Sequence, residues 1–597
     1  MMTNAESVTT RHAPYFWATG PGCEVPAVGQ RVSNRYEVIA PRIWKDTQPE
    51  SPPPIPDSVP DRVLPYLRLH PYRLHLPGVY DVVSQGDKAP WLLLENAPIN
   101  PRSGKQFPGL GEVWEQSTAV RQLSWLWQIW ELWMPLMAQG VAASLLLPEN
   151  LRVEGWRLRL GELVPEPATP TLADLATRWR ALLPQAKPAI AEPLSQLCEA
   201  MIIGDYSPEQ VTVDLNYLLL KESAQSPVRL RVAGSTHPGP RQVRNEDACY
   251  PDGVAPESPM PRIAIVCDGV GGHEAGEVAS QLVVRSLQLQ LQGLLVETES
   301  PEGLAPPQVI VQQIEAALRV VNDLVNRHND QQSRSDRQRM GTTLVMAVMV
   351  PQRLRTEQGW LSVNELYIAH VGDSRAYWIT PDYCHLLTID DDIAGREVQA
   401  GRQFYSTLRD RPDAGALSQA VGTREAAYLH PHIQRFVVDE EGVLLLCSDG
   451  LSDRGRIESA WANYIGLIIK DIITLESAVA SWVELANQKN GHDNVAVVLM
   501  HCKQLLAPSY ATAPEAEPDA PADPDDLTAA SRALLYGDDL DVPPTPEAEP
   551  LAQPQIPAQW VAIAAAGILL LAGLVGWWLA GRLASPPAEA PPEQIEE

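Results

Sequence analysis

Aspartates beside apolar, strand-length runs are the feature of this chain that most restricts its fold. Six short acidic or glycine-rich segments occur in order between Thr236 and Val498: Asn245-Glu246-Asp247, Asp268-Gly269-Val270-Gly271-Gly272-His273, Met340-Gly341-Thr342-Thr343, Gly372-Asp373-Ser374-Arg375, Ser448-Asp449-Gly450 and His492-Asp493-Asn494. Apolar runs at 262–267, 366–371 and 443–447 lead into three of these segments, and the run 495–500 follows a fourth. Continuous apolar character over this length predicts buried strands. Amphipathic helical stretches alternate with the strands, so the sequence indicates a mixed α+β domain.

The repeated aspartates favour a metal site over a set of turns. A single Asp-Gly after a strand is usually a turn, but four strand-end aspartates preceded by Asn245-Glu246-Asp247 favour a shared function. Carboxylate and carbonyl oxygens are the ligands that Mg²⁺ and Mn²⁺ prefer. Two such ions about 4 Å apart can activate water and neutralise a phosphoryl group during phosphate ester hydrolysis. The residues therefore predict a two-metal hydrolytic site.

Residues from about 230 to 502 resemble the PP2C-type (PPM family) metal-dependent protein serine/threonine phosphatases of the bacterial kind, on all six segments. The resemblance implies a four-layer αββα sandwich with the metals at one end, and we assign it residues 226–505. It implies that a hydroxide bridging two Mn²⁺ or Mg²⁺ ions hydrolyses phosphoserine and phosphothreonine monoesters in proteins, without a phosphoenzyme. A third, more weakly bound metal is common among the bacterial relatives.

The resemblance assigns the metals to particular residues. The implied ligands are Asp268, Gly269, Asp373, Asp449 and Asp493. Asp268 would bridge both metals, and Gly269 would bind one through its carbonyl oxygen. Asp449 and Asp493 would complete the shell of the other metal, and Asp373 with Asp449 would hold the third.

Further residues are implied to act on water, phosphate and the leaving group. Glu246 and Asp247 would orient metal-bound waters, and His273 would either protonate the leaving alkoxide or fix its loop by a hydrogen bond. Bacterial relatives carry an arginine that grips the phosphate five residues before Asp247. Gln242 occupies that position here, with Arg241 and Arg244 nearby, and of these two we assign the phosphate contact to Arg241.

A second departure lies at the start of the flap, a segment of about residues 390–425 that we expect to select substrates. Relatives carry Thr-x-Asp-His-Ser where this chain has Thr388-Ile389-Asp390-Asp391-Asp392. The change removes a histidine and adds negative charge. We expect catalysis to survive it.

Residues 1–225 are rich in tryptophan and faintly similar to a protein kinase. The similarity lies in Asn34–Ile39, Trp91–Asn96 and Leu147–Leu151. The working parts of a kinase are missing, because Ala143-Ser144-Leu145 replaces His-Arg-Asp and Glu162-Leu163-Val164 replaces Asp-Phe-Gly. The region is either a pseudokinase or an unrelated α+β domain, and in both cases we expect it to dock protein partners.

The C-terminal part divides into a linker, a membrane segment and a tail. Residues 506–558 are rich in proline and acidic residues, which predicts disorder. The uncharged run 561–581 would span roughly 31 Å as a helix, so we expect residues 559–582 to cross a membrane once. Residues 583–597 form the tail. The seven scattered cysteines suit a reducing compartment, so we place the catalytic domain in the cytoplasm.

Charge excludes one class of partner. The net charge of −28 argues against nucleic acid, which is bound by clustered basic side chains. The expected partners are phosphoserine and phosphothreonine proteins. The alternative function is a phosphoprotein-binding scaffold whose phosphatase fold, lacking the usual arginine, turns over slowly.

Overall fold

The computed structural model describes residues 15–505, apart from 56–58, 87, 166–167, 255–261, 271–274, 299–303, 336–337, 357–358 and 409–410. These residues lie within one compact unit, Met1–Ser509. Across the described parts, no helix is long and apolar enough to cross a membrane. The predicted linker, membrane segment and tail lie outside the described residues.

Residues 15–223 contain a six-stranded antiparallel sheet, a two-stranded hairpin and six α-helices. The strands are β1 (Tyr15–Thr19), β2 (Arg31–Val32), β3 (Tyr36–Ala40), β4 (Ile43–Asp46), β5 (Gly78–Gln85), β6 (Lys88–Glu95), β7 (Leu151–Glu154) and β8 (Arg157–Leu160). The helices are α1 (Leu64–Arg68), α2 (Leu110–Val113), α3 (Ala119–Ala138), α4 (Leu172–Arg180), α5 (Pro188–Ile203) and α6 (Pro208–Ser223). The sheet order is β2-β3-β4-β1-β6-β5, and β7 pairs with β8. We call this part the N-terminal domain.

The tryptophans of α3 form the core of this domain. Trp125, Trp127 and Trp133 are buried, and Trp114 and Trp179 pack in the same core.

The second part of the described chain contains thirteen strands and eight α-helices. The strands are β9 (Val228–His237), β10 (Ala248–Tyr250), β11 (Gly253–Val254), β12 (Ile263–Cys267), β13 (Gly269–Val270), β14 (Gly341–Thr342), β15 (Leu344–Thr356), β16 (Gly359–Val371), β17 (Arg375–Ile379), β18 (Cys384–Leu386), β19 (His432–Phe436), β20 (Gly442–Cys447) and β21 (Val495–Gln504). The helices are α7 (Ala275–Thr298), α8 (Pro307–Gln331), α9 (Ile393–Gln399), α10 (Tyr405–Leu408), α11 (Asp449–Ser452), α12 (Arg456–Ala460), α13 (Ile465–Ile469) and α14 (Leu475–Lys489).

Two antiparallel sheets form the centre of this part. One has the order β10-β12-β15-β16-β19 and the other the order β11-β9-β21-β20-β17-β18. Helices α7 and α8 cover the outer face of the first sheet, and α13 and α14 cover the outer face of the second. The predicted αββα sandwich is confirmed.

The continuous apolar runs follow from this layering. In β12, Ile263 and Ile265 face the helices, while Ala264 and Val266 face the other sheet. Because both faces are covered, neither can carry polar side chains. The smaller residues lie between the sheets, where they allow close approach.

The N-terminal domain packs against the two-sheet part of the chain through polar and apolar contacts. Arg121 of α3 pairs with Asp439 and with Glu440, the latter at 2.9 Å. The ring of Trp156, in the β7–β8 hairpin, packs edge-on against Phe436 with ring centroids 5.4 Å apart. The two parts therefore share one core.

Candidate active site

Five aspartates converge where strands of the two sheets end. Asp268 lies between β12 and β13, Asp373 follows β16, and Asp449 follows β20. Asp247 precedes β10, and Asp493 lies just before β21. Burial raises the pKa of Asp268 well above its ordinary value, and the charges of the other four raise it further. Hydrogen bonds join the same segments: Ser448 to Asp247, Asn494 to Glu246, and Thr343 to both Asp268 and Ser374. The five carboxylates therefore lie close together in one cluster.

Two threonines hold the backbone at Asp268. The amide of Thr343 donates to the Asp268 carbonyl oxygen at 2.8 Å, and the Thr342 hydroxyl donates to the same oxygen at 2.8 Å. The Asp268 amide in turn donates to Thr343 Oγ1 at 3.1 Å. Thr343 Oγ1 also lies 2.6 Å from Ser374 Oγ, beside Asp373. The Met340–Thr343 segment therefore supports the cluster.

Gly269 lies where the backbone of three segments meets. A Cβ atom at Gly269 would lie 2.5 Å from the carbonyl carbon of Gly276 and 2.7 Å from the carbonyl oxygen of Glu246. Ser280 Oγ donates to that same Glu246 oxygen at 2.5 Å. Only glycine fits at position 269, which leaves its backbone close to the cluster.

Ser448 and Asn494 position the carboxylates from behind. Ser448 Oγ donates to Asp247 Oδ2 at 2.6 Å and accepts from the Ala496 amide at 2.9 Å. Asn494 Oδ1 accepts from the Glu246 amide at 2.8 Å. The motifs contain these two residues, but the sequence assigns no role to either.

The cluster fits a pair of divalent cations. Burial raises the pKa of Asp373 to about 7 and that of Asp449 to about 6, and neighbouring aspartates add to both shifts. Oδ1 of Asp449 is buried without a hydrogen-bond partner among the described residues. Carboxylates that repel one another in a buried site need cationic partners, and an all-oxygen donor set suits Mg²⁺ or Mn²⁺.

The three consecutive aspartates at the flap root contact the Gly372–Arg375 segment and the flap. Asp390 forms a two-pronged ion pair with Arg375 at 3.0 and 2.6 Å. Asp391 exchanges hydrogen bonds with Gly372, accepting at Oδ2 and donating from its amide, both at 2.9 Å. Asp392 caps α9, with Oδ1 accepting from the Gly395 amide at 2.5 Å.

Asp391, which replaces the histidine of relatives, has two further partners. His432 Nε2 lies 3.1 Å from Asp391 Oδ1, and Gln419 Nε2 donates to Asp391 Oδ2 at 2.8 Å. No motif marks His432 or Gln419, because both come from distant segments.

The structure shows less of the residues that the sequence assigns to phosphate binding and proton donation. Arg241 and Gln242 lie in an exposed stretch between β9 and β10. Gln242 Nε2 donates to the His492 carbonyl oxygen at 3.3 Å, which puts this stretch beside Asp493. His273 lies outside the described residues, so its role stays a prediction.

The fold and the aspartate cluster define a class of protein. Residues 234–484 match the family model described as Protein phosphatase 2C. This part of the chain is a PP2C-type serine/threonine phosphatase domain, a hydrolase, as the sequence motifs predict.

The chain is similar to several bacterial phosphatases. It is 29% identical over 238 residues to the serine/threonine phosphatase stp of Listeria innocua, covering 40% of this chain and 83% of that protein. It is 28% identical over 270 residues to the serine/threonine protein phosphatase PstP of Mycobacterium tuberculosis, covering 45% of this chain and 44% of PstP. A solved catalytic domain of PstP, in complex with two manganese ions, is 27% identical, with a TM-score of 0.34 over 46% of this chain and 99% of that one.

Proposed function

We propose that this protein removes phosphate from serine and threonine residues of proteins, using two Mn²⁺ or Mg²⁺ ions at the aspartate cluster. The observation that carries the proposal is the convergence of five aspartates, with raised pKa values in four of them and, within the described part of the chain, one unpartnered buried oxygen on Asp449. Such a cluster destabilises an empty fold, so its presence supports a role in cation binding.

The ligands are the residues that the resemblance names. Asp268, Asp449, Asp493 and the carbonyl oxygen of Gly269 would hold the two ions, and Asp373 with Asp449 would hold a third. When bound, the ions supply positive charge on the phosphoryl oxygens and a nucleophilic water at neutral pH.

The protein residues orient water and substrate around this cluster. Ser448 fixes Oδ2 of Asp247, so that the carboxylate keeps one orientation toward a water molecule. The neighbouring Glu246 is held by its own backbone contacts. Arg241 is assigned to the phosphate and His273 to the leaving oxygen, as the sequence suggests.

Asp268→Asn tests the proposal. One carboxylate shared by two cations has no substitute nearby, so we expect loss of Mn²⁺-dependent hydrolysis of a phosphothreonine peptide by about 10³-fold or more. Asp382→Asn, at an exposed turn between β17 and β18, is the matched control and should keep wild-type activity. Undiminished turnover by Asp268→Asn would contradict the assignment, and equal melting temperatures would show that both variants fold.

A slow phosphoprotein-binding scaffold is the second candidate. It is favoured by Gln242, which stands at the phosphate-gripping position and donates to the His492 carbonyl. Gln242→Arg separates the two functions, because a guanidinium forms charged bonds to phosphate that an amide cannot. A large gain in turnover would favour the scaffold for the natural chain, whereas no gain, together with loss of activity in Arg241→Ala, would favour the enzyme.

We propose that the N-terminal domain does not transfer phosphate. Glu162 stands where a kinase would carry its magnesium-binding aspartate, but here it accepts hydrogen bonds from Arg42, at 2.9 Å, and from Thr19. A role in docking protein partners is supported by Met134 and Val213, apolar side chains 59% and 54% exposed beside a cavity of about 1340 Å³.

We also propose that the chain is anchored in a membrane through residues 561–581, with the catalytic domain on the cytoplasmic side. The support is the length and uncharged character of this run. The full chain should then stay in the membrane pellet after washing with alkaline carbonate, while a chain ending at residue 558 should not. Release of the full chain by the wash would refute the anchor.

A further inference from the structure

The flap of the phosphatase is built into the hydrophobic core of the N-terminal domain. Four apolar flap side chains are at most 3% exposed and belong to the same core as the tryptophans of α3: Ala394, Val398, Phe404 and Leu408. Leu64 of α1 approaches the flap as well, since its Cδ2 lies 3.4 Å from where a Cβ of Gly401 would be. A substrate-selecting loop would otherwise be expected to lie on the surface.

Polar and aromatic contacts reinforce this packing. Ser406 Oγ donates to the Tyr80 carbonyl oxygen at 2.7 Å in a buried bond. The ring of Tyr405 is stacked against His70, with centroids 6.1 Å apart and planes 17° apart. The guanidinium of Arg73 lies 5.4 Å from the centre of the same ring. Tyr405 therefore contacts two residues of the N-terminal domain.

His70 is suited to hold the flap at any physiological pH. Its Nε2 would lie 3.6 Å from a Cβ atom at Gly395, so the ring also touches the backbone of α9. Burial lowers the pKa of His70 to about 3, with smaller contributions from Arg73 and His432. The imidazole stays neutral, and the contact does not depend on charge.

The other end of the flap is fixed to the active site. Tyr405 Oη donates to Asp392 Oδ2 at 3.3 Å, and Asp392 is the N-cap of α9. Asp391 and Asp390 join Gly372 and Arg375, on either side of Asp373. Direct contacts thus run without a break from His70 to the segment that carries Asp373.

We propose that the N-terminal domain is a positioning element for the flap, and that by holding Tyr405 against His70 it sets how the phosphatase receives the peptide around a phosphorylated residue. The inference rests on the proposed function. His70 and Tyr405 are positioning residues and do not touch the reacting atoms.

The proposal predicts a split between two substrates of the full-length protein. In Mn²⁺, His70→Ala should raise KM for a phosphothreonine peptide about five-fold or more, with kcat for p-nitrophenyl phosphate within about two-fold of wild type. p-Nitrophenyl phosphate lacks a peptide chain that the flap could contact. Asp61→Ala is the matched control, because Asp61 is an exposed residue of the N-terminal domain at the start of the short helical turn before α1.

Substitutions at Tyr405 test whether His70 acts through it. Tyr405→Phe keeps the ring against His70 but removes the hydrogen bond to Asp392. It should therefore raise KM less than Tyr405→Ala, which should reproduce the rise seen in His70→Ala. In the Tyr405→Ala background, His70→Ala should add less than about two-fold, because residues that act through one contact are not additive. Independent, multiplying effects would overturn the proposed contact.

Hydrogen exchange gives a readout that does not depend on activity. Amides of residues 393–408 should exchange faster in His70→Ala than in wild type or Asp61→Ala, while strand β12 should not change. The proposal is overturned if exchange and peptide KM both stay at wild-type values, if Asp61→Ala matches His70→Ala, or if His70→Ala lowers peptide KM. An inactive wild-type chain would instead refute the proposed function and the consequence for KM, and exchange would still show whether the N-terminal domain holds the flap.

Discussion

At the scale of single residues, uncharged neighbours fix the positions of the carboxylates of the site. Asn494 shows the difference. Its amide accepts from the Glu246 amide and donates to the carbonyl oxygens of Pro238 and Arg244 at 2.8 and 2.9 Å, which joins three segments of backbone. The sequence predicts the aspartates because they recur beside apolar runs. It cannot assign the asparagine, since the same residue is common in any turn.

Asn494→Ala should impair metal binding without removing a ligand. Three backbone groups lose their partner, so Glu246 and the adjoining Asp247 are no longer held in place. We expect Mn²⁺ affinity or kcat/KM to fall about 10–100-fold, the usual effect of losing a residue that orients ligands. Titration of activity against Mn²⁺ measures it, with Asn463→Ala on an exposed turn as the control. An unchanged titration curve would show that Asn494 has no positioning role.

At the scale of secondary-structure elements, the sequence predicts the buried strands but not α9, the helix of the flap. Strands β12 and β20 are apolar throughout because helices cover one face and the opposite sheet covers the other. Helix α9 has seven residues, and its buried positions Ala394 and Val398 give a weak periodic signal. Its stability comes from contacts with the N-terminal domain, which no local pattern records.

The turn from β20 into α11 should tolerate no side chain at Gly450. A Cβ atom there would overlap the carbonyl oxygen of Asn494, so Gly450→Ala must displace backbone beside Asp449. We expect a loss of about 3 kcal/mol in the free energy of unfolding, at the upper end of overpacking effects.

Gly466→Ala is the matched comparison for that loss. Gly466 lies in α13, and a Cβ atom added there would have no described atom within 4 Å, so alanine should be neutral or stabilising by up to about 1 kcal/mol. Urea denaturation of both variants gives the two values. Equal stabilities would show that the close approach at Gly450 relaxes freely.

At the scale of the whole molecule, the two domains meet near residue 226, but their side chains pack into shared hydrophobic cores. From the sequence alone, residues 226–505 are predicted to form an independent catalytic domain, because the composition changes near residue 226 and the resemblance to PP2C phosphatases begins there. The structure adds that Phe404 and Leu408 of that fragment are buried by the N-terminal domain. We therefore expect the isolated fragment to expose them and to be less soluble than a chain of residues 1–505.

The buried ion pair between the two parts should be important for stability. Arg121→Ala leaves Asp439 buried without its cation, and its side chain is only 3% exposed. Removing one partner of such a pair costs about 3–5 kcal/mol, so the melting temperature of the full chain should fall by several degrees. Arg178→Ala, on the exposed end of α4, should leave it unchanged. A fall of the same size in both variants would point to a general effect of lost charge.

Trp156 limits how freely the two parts can be exchanged between proteins. Its ring joins the core between the two phosphatase sheets and meets Phe436 edge-on, although it belongs to the hairpin of the other domain. A chimaera that grafts residues 1–225 onto a different PP2C domain would carry this indole to a site with no matching recess. We therefore expect residues 156 and 436 to change together during evolution. The two domains should be inherited as a pair.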